Sequence, residues 1–416
     1  MVVHSATLAV NERLAAMRAA GQQVVHLGFG EAGLPVLPEI AEVLTAHAGR
    51  NGYGPVIGSP SARTAAAGYF ARRGLKTDAA QIAFAPGSKP LLYALIAALP
   101  GDVVLPQPAW LTYAAQAALA GKHVIGVPAP AAAGGMPDPA LLEETLREAR
   151  KAGRRPGVLL LTLPDNPTGT MADRALVEQV CRIAENHDLA IISDEIYRDL
   201  CHRPQEAVSA ASYVPDRTFV TNGLSKAMAL GGWRIGFARF PVGPHGEDIR
   251  ERVIGIASEL WSSLAAPMQD VAAYVLDDPD SVMIQVAASR RLHERISLAV
   301  YGILTAAGAA VRKPNAAFYS YPDLECFRPA LAARGVKGSD DLAEFLLDQY
   351  GIGVLSGAAF GDNPGAFRFR VATSLLYGET DEQRWTALSS DHPTELPWIA
   401  AALEQLKSGL TALRSL

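Results

Sequence analysis

The sequence predicts an α/β protein with a large domain built on a mostly parallel, open β-sheet with helices on both faces, and a smaller α+β domain. Two patterns in the 416 residues carry this prediction. Between about residues 80 and 240, short apolar runs alternate with helical patterns. From about residue 285, a long helical pattern is followed by short strand-like segments. A chain of this length is too long for one small core and suits two domains.

The predicted strands of the large domain are continuously apolar. Such runs are typical of parallel strands whose two faces are both covered by helices. Between two of the runs, Leu176, Val180 and Ile183 recur at the spacing of one helix face, and elsewhere Asp138 is a helix cap followed by Pro139. These repeated βα units predict a doubly wound sheet. The predicted strands are QIAFA, DVVLP, HVIGV, GVLLLTL, LAIIS, TFVTN and RIGFARF.

The C-terminal part begins with the helical pattern SRRLHERISLAVYGILTAAG and continues with the strand candidates AAFYSYP, IGVLS and FRFRVATS. These segments suit a separate α+β domain. We expect residues 1–45 to be an N-terminal segment that joins this small domain. Residues 46–284 form the predicted large domain, and residues 285–416 complete the small one. The polar stretch 377–397 is predicted to be an excursion before the last helix.

The composition excludes several classes of partner. Charged residues make up 19% of the chain and the net charge is −5, so there is no basic excess to attract nucleic acid or membrane phosphates. The apolar runs are shorter than a membrane span, and the N-terminal stretch lacks the apolar core of a signal peptide. Cys181, Cys201 and Cys326 form no C-x-x-C pair, which argues against disulfides and a zinc site. We therefore expect a cytoplasmic protein without a metal.

Four polar segments lie at or just after the ends of predicted strands. The carboxyl ends of parallel strands meet at one edge of such a sheet, which is where ligands bind in open α/β folds. The sequence therefore predicts that these segments converge on one site. They are PGSK (86–89), PDNPTG (164–169), SDEIY (193–197) and NGLSK (222–226).

Lys226 lies in the stretch TNGLSKAMALGGWRIG, among small and apolar residues. Two interpretations are open for such a lysine. Its charged head can reach solvent over a buried stem, or its amine can be desolvated, lose its proton and become a nucleophile. The second interpretation requires that the rest of the chain supply partners for a Schiff base.

Taken together, the motifs resemble those of the fold type I aminotransferases that use pyridoxal 5'-phosphate (PLP), in the aspartate/aromatic aminotransferase branch. The resemblance extends from Leu27 to about Ser374, and the motifs follow the order found in that family. They are LGFGEA, YGPVIGSPSAR, PGSK, AWLTY, NPTG, SDEIY, NGLSKAMALGGWRIG, NAAFYSYP and FRFRVATS.

The resemblance implies roles for residues around the cofactor ring. Lys226 would hold PLP as a Schiff base and shuttle a proton between the substrate Cα and the cofactor. Asp194 would pair with the protonated ring nitrogen, so that the ring can accept electrons. Tyr197 and Asn166 would hydrogen-bond the phenolic oxygen of the ring. Trp110 would stack on the ring face.

For the phosphate, the resemblance implies the backbone of Gly87 and Ser88 at a helix N-terminus, together with Arg234 eight residues after the lysine and the Ser225 hydroxyl. The position three residues before the lysine is Gly223, where the family often has serine. One phosphate contact is therefore lost or replaced.

For the substrate, Arg368 resembles the family arginine that binds the α-carboxylate, helped by the Gly30 backbone and Asn166. Tyr53 resembles the tyrosine that reaches the phosphate of a neighbouring subunit, which implies a homodimer with shared active sites. Arg370 departs from the family pattern. Strand alternation points it to the same side as Arg368, and we expect it to pair with a local acid rather than to contact substrate.

Further departures affect the substrate entrance. Lys89 stands where some relatives recognise a side-chain carboxylate, which hints at an acidic substrate. Ala316 replaces a common glycine, and the segment 31–38 lacks the usual acidic pattern.

The leading interpretation is a PLP-dependent aminotransferase of amino acid metabolism. An L-amino acid would donate its amino group to a 2-oxo acid through the Lys226 Schiff base, by a ping-pong mechanism. The alternative is a PLP enzyme of the same fold that catalyses elimination, decarboxylation, oxidation or carbon-carbon bond formation. A third possibility is a non-catalytic binding protein, which we expect to lack the lysine or to carry an extra DNA-binding segment.

Overall fold

The computed structural model describes residues 6–413, with side chains from residue 12 onward. The strands are β1 (Val25–His26), β2 (Ile82–Pro86), β3 (Asp102–Gln107), β4 (Val124–Pro128), β5 (Pro156–Thr162), β6 (Ala190–Asp194), β7 (Thr218–Gly223), β8 (Ile235–Arg239), β9 (Tyr319–Ser320), β10 (Ile352–Gly353), β11 (Leu355–Ser356) and β12 (Phe369–Ala372).

The helices alternate with the strands through the first half of the chain and dominate the second. They are α1 (Ala6–Ala19), α2 (Pro38–His47), α3 (Pro60–Arg72), α4 (Ser88–Ala98), α5 (Leu111–Leu119), α6 (Pro139–Lys151), α7 (Arg174–Asn186), α8 (Pro244–Leu260), α9 (Ala266–Leu276), α10 (Asp280–Ala307), α11 (Arg328–Ala332), α12 (Ser339–Tyr350), α13 (Asp381–Ser389) and α14 (Pro397–Leu413).

The predicted α/β fold is confirmed. A 7-stranded sheet has the order β2-β8-β7-β6-β5-β3-β4. Strand β8 is antiparallel to both of its neighbours, and the other pairings are parallel. Each strand predicted from the apolar runs of the large domain is present in this sheet. Their side chains are mostly buried because helices cover both faces.

Local sequence signals account for several helix boundaries. Asp138 caps α6 as predicted, since its side chain accepts a hydrogen bond from the Leu141 amide and Pro139 occupies the first turn. The polar stretch 377–397 is only partly an excursion, because it contains α13. A capping box of Thr380 and Gln383 starts this helix.

Segments from the N-terminal and C-terminal parts of the described chain pack together in a second core. Val25 of β1 pairs with Ile352 of β10, and strands β11, β12 and β9 form a small antiparallel sheet. Val25 and Leu27 pack in one apolar cluster with residues of α10, α12, β12 and α14. The residue bounds of the two domains stay a prediction.

The large sheet positions the polar segments as the sequence predicts. Strands β2, β6 and β7 end at Pro86, Asp194 and Gly223, directly beside the PGSK, SDEIY and NGLSK segments. In the part of the chain that the structure describes, no helix combines the length and the apolar character needed to cross a membrane.

Candidate active site

A cavity of about 610 Å³ lies at the carboxyl edge of the large sheet. Segments from both halves of the chain line it. The lining includes most of the predicted site residues, namely Gly30, Ser88, Trp110, Asn166, Asp194, Tyr197, Ser225, Lys226 and Arg234. It also includes Lys89, Tyr113, Tyr319 and Arg370, but not Arg368 or Tyr53.

Lys226 follows β7 and extends into the cavity. Its Nζ donates a hydrogen bond of 2.5 Å to the Gly30 carbonyl oxygen. The pKa of this amine is lowered to about 8, first by burial and then by the positive charge of Arg370, with smaller contributions from Lys89 and Arg234. An amine with this pKa is partly neutral near physiological pH and can act as a nucleophile or a base.

Asp194 ends β6 at the floor of the cavity. Its side chain is buried and accepts hydrogen bonds from the Tyr113 hydroxyl at 2.8 Å and from the Thr221 hydroxyl at 3.2 Å. Burial raises its pKa to about 6, while these hydrogen bonds oppose the rise. The carboxylate is therefore mostly ionised at neutral pH and is poised to attract a positive charge.

Two tyrosines lie on the side of the cavity nearest Lys226. The hydroxyl groups of Tyr197 and Tyr319 are 2.8 Å apart, and Tyr319 also donates to the Gly30 carbonyl oxygen at 3.4 Å. Burial raises the pKa of Tyr197 well above its usual value, so its hydroxyl keeps its proton. Gly30 leaves space for this contact, since a Cβ there would lie 2.5 Å from the Tyr319 hydroxyl oxygen.

A guanidinium group lies close to the backbone where α4 begins. Gly87 precedes this helix with a φ of +91°, and a Cβ at Gly87 would lie 2.2 Å from Arg234 Nη2. Arg234 is itself held by a bond of 2.8 Å from Nη1 to the Gly231 carbonyl oxygen. A helix N-terminus, with Ser88 as its first residue, and a guanidinium group thus face the same space.

The sequence predicts that Arg368 faces the substrate and that Arg370 pairs with an acid, but the structure shows the reverse arrangement. Arg368 lies outside the cavity lining, and its Nε and Nη1 donate to Asp323 at 2.7 Å and to Asp362 at 3.2 Å. Arg370 is 2% exposed and lines the cavity. It contacts no carboxylate among the described residues, and instead donates to Asn166 Oδ1 at 3.2 Å. The expectation that Arg370 pairs with a local acid is therefore wrong.

The comparisons with known proteins agree with this geometry. A family model described as aminotransferase class I and II matches residues 22–375. The chain belongs to this family. It is therefore an enzyme, an aminotransferase of a family that uses PLP, and its fold is that of the fold type I aminotransferases.

This aminotransferase is 33% identical to the aspartate/prephenate aminotransferase of Cereibacter sphaeroides, over 89% of this chain and 92% of that relative. It is 30% identical to the aspartate aminotransferase of Geobacillus stearothermophilus, over 91% of this chain and 95% of that relative. Among solved structures, the Thermus thermophilus aspartate aminotransferase with maleate has a TM-score of 0.82 at 27% identity, and the match covers 98% of this chain and 97% of that one.

The donor groups of the aminotransferase cavity fit PLP. The corner at Gly87 and Arg234 suits a phosphate dianion, because backbone amides and a guanidinium fork both favour that charge. Buried Asp194 suits a protonated ring nitrogen. Lys226, with its lowered pKa, suits an aldehyde.

Trp110 and Tyr53 occupy very different surroundings. Trp110 directly precedes α5 and lines the cavity. Its ring contacts the Tyr113 ring edge-on, with the ring centroids 5.2 Å apart. Lys89 Nζ lies 5.2 Å from the Trp110 ring centroid. Tyr53 is 94% exposed and lies outside the cavity, so within one chain it contributes nothing to this site.

Sequence reasoning missed three residues that contact the predicted site. Tyr113 and Thr221 hydrogen-bond Asp194, and Tyr319 hydrogen-bonds Tyr197. Tyr113 and Tyr319 lie within the quoted motifs AWLTY and NAAFYSYP, so attention to every polar side chain of those motifs could have found them. Thr221 begins the quoted stretch TNGLSKAMALGGWRIG, at the end of a predicted strand, so the same attention could have found it.

Proposed function

We propose that this aminotransferase holds PLP covalently at Lys226 and transfers the amino group of an L-amino acid to a 2-oxo acid by a ping-pong mechanism. The observation that carries the proposal is the convergence of an amine of lowered pKa, a buried carboxylate and an arginine at a helix N-terminus in one cavity. The family match supports the same chemistry.

Each end of the cofactor has residues suited to it. Ser88, Ser225 and Arg234, with the backbone at Gly87, would hold the phosphate. Asp194 would keep a proton on the ring nitrogen through its negative charge. Asn166 and Tyr197 would donate to the ring oxygen, and Trp110 would cover one ring face. The bound cofactor supplies an aldehyde that condenses with amines and a ring that accepts the electrons released at the substrate Cα.

Lys226 would also move the proton. With a substrate bound, the neutral Nζ of Lys226 would accept the Cα proton and would later donate it back. A pKa of about 8 suits both the acceptance and the donation of this proton, because the amine gains and loses a proton readily near neutral pH. The Gly30 carbonyl oxygen, 2.5 Å from Nζ, would hold the amine in position between transfers.

An acidic amino acid is the first donor to test. Lys89 lines the cavity together with three other basic residues, Lys226, Arg234 and Arg370. Burial and the charge of Arg234 lower the pKa of Lys89, and a second carboxylate of the substrate would stabilise its charged form. Relatives of this chain are named for aspartate.

We also propose a homodimer in the cytoplasm, with Tyr53 reaching the phosphate of the other subunit. The exposure of Tyr53, at 94%, is consistent with this, because its ring is accessible to a second subunit. A mixture of Lys226→Ala and Tyr53→Ala chains tests it. Mixed dimers would contain one site with both residues intact, so activity should reappear on mixing two inactive variants. No recovery in confirmed mixed dimers would contradict shared sites.

A half-reaction tests the proposed function. The PLP-loaded protein is mixed with each common amino acid without a 2-oxo acid, and the absorbance of the cofactor is followed. We expect conversion to the pyridoxamine form with at least one donor, and return to the starting spectrum when a 2-oxo acid is added. Ammonia release without that form would indicate elimination instead. No conversion with any donor would contradict the proposal.

A further inference from the structure

We infer that Arg370, and not Arg368, binds the α-carboxylate of the substrate, and that Arg370 also sets the orientation of the Asn166 amide. The inference rests on the proposed function. It assigns the carboxylate site to a residue two positions beyond the one that the motif comparison selects.

Arg368 is committed to other partners. Its guanidinium donates to Asp323 at 2.7 Å and to Asp362 at 3.2 Å, and Asp362 also accepts from the Tyr321 hydroxyl at 2.8 Å. Two carboxylates thus neutralise one guanidinium at a partly exposed position outside the cavity lining. To bind a substrate, Arg368 would have to leave both acids and enter the cavity.

Arg370 has N–H donors that remain available to bind an anion. A guanidinium carries five N–H donors. Its hydrogen bonds go to Asn166 Oδ1 at 3.2 Å and to the Gly28 carbonyl oxygen at 2.7 Å. Its Nε is buried and has no hydrogen-bond partner among the described residues. A buried donor without a partner is costly, and a bidentate carboxylate would satisfy it.

Two aromatic rings hold the guanidinium group of Arg370 in place. Its carbon lies 4.8 Å from the Tyr319 ring centroid and 5.1 Å from that of Phe360. Arginine stacks well on such rings because its guanidinium is planar and weakly hydrated. The group is thereby oriented before a substrate arrives, which reduces the entropy lost on binding.

The positive charge of Arg370 also affects Lys226, the amine at the proposed reacting centre. After burial, it is the strongest influence lowering the pKa of Lys226. Arg368 has no comparable effect on this lysine. A carboxylate bound at Arg370 would therefore lie close to the amine that handles the Cα proton, as an amino acid requires.

The bond to Asn166 links the substrate site to the cofactor site. Arg370 Nη1 can only donate a hydrogen bond, so the group of Asn166 that faces it is the acceptor Oδ1. The amide nitrogen of Asn166 is then free to donate to the ring oxygen of the cofactor. Loss of Arg370 should therefore disturb both carboxylate binding and the electronic state of the cofactor.

The test compares Arg370→Gln with Arg368→Gln in the PLP-loaded enzyme. We expect Arg370→Gln to lower kcat/KM of the half-reaction by about 100-fold and to raise the inhibition constant of succinate by a similar factor, because a buried charge pair is lost. Conversion of the matching amine without an α-carboxylate should change little. Arg368→Gln should stay within about 3-fold of the parent, because partly exposed ion pairs contribute little.

A spectroscopic readout separates this role from a purely structural one. Removal of a positive charge near Lys226 should raise the pH at which the absorbance of the bound cofactor changes, in Arg370→Gln but not in Arg368→Gln. If Arg370→Gln does not fold, Arg370→Lys keeps the charge but loses the fork, and about a 10-fold loss in kcat/KM is expected.

The outcomes are distinguishable from failure of the proposed function. If the parent enzyme completes the half-reaction but Arg368→Gln loses activity while Arg370→Gln keeps it, the inference is overturned and the proposed function stands. If both variants keep parental kcat/KM, the inference is also overturned. If the parent itself converts no amino acid, the proposed function fails.

Discussion

The Tyr113 hydroxyl donates a hydrogen bond of 2.8 Å to Oδ2 of Asp194, and Thr221 donates to Oδ1 of the same carboxylate at 3.2 Å. The two donors come from α5 and from β7, which is a sheet neighbour of the strand that ends at Asp194. They hold the carboxylate in one orientation within the floor of the cavity and lessen the rise in its pKa. The position of this charge is thus set before any cofactor binds.

Replacement of Asp194 by Asn should lower kcat of the half-reaction by about 100-fold or more, because a neutral amide cannot keep a proton on the ring nitrogen. Tyr113→Phe is the matched control, since it removes one hydrogen bond and keeps the charge; a loss of about 10-fold or less is expected. Single-turnover kinetics at equal cofactor content measure both. Parental kcat in Asp194→Asn would contradict the role.

The pKa of Lys226 predicts how fast the cofactor-free protein captures PLP at different pH values. The neutral amine is the reactive form, so the rate should rise about tenfold per pH unit below the pKa and level off above it. With a pKa lowered from 10.5 to about 8, the plateau should begin near pH 8. Subtraction of the rate for Lys226→Ala removes reactions at other lysines. A rate that still rises through the range expected of an ordinary lysine would contradict the shift.

Gly87→Ala should weaken PLP binding by about tenfold or more, because the added methyl group needs the space of the Arg234 guanidinium. Gly74 offers a matched control, with a φ of +84° close to the +91° of Gly87 but no atom within 4 Å of its Cβ position. Gly74→Ala should lower Tm by strain alone and leave the PLP dissociation constant unchanged. Fluorescence titration measures the affinity; equal effects in the two variants would contradict the account.

The strands and the site edge could be predicted from the sequence because both depend on local patterns. Parallel strands covered on both faces are continuously apolar, and their ends carry the polar segments that include Asn166, Asp194 and Lys226. The start of α13 also had a local signal in Thr380 and Gln383. The polar composition of residues 377–397 nevertheless favoured the prediction of an irregular segment over a helix.

The sequence could not show in the same way that Arg370, and not Arg368, lines the cavity. Strand alternation predicts that both side chains point to the same side of the FRFR segment. Their surroundings differ because Asp323 and Asp362, from two other segments, converge on Arg368. The sequence shows that these acids exist but not where the chain brings them.

Borohydride reduction followed by peptide mapping shows directly which residue holds PLP. The reagent fixes the bond between PLP and the amine that holds it, and mass spectrometry identifies the modified residue. We expect one labelled lysine per chain, Lys226, and no label at that peptide in Lys226→Ala. A label at Lys89, a label spread over exposed lysines, or no incorporation of the cofactor would contradict this expectation.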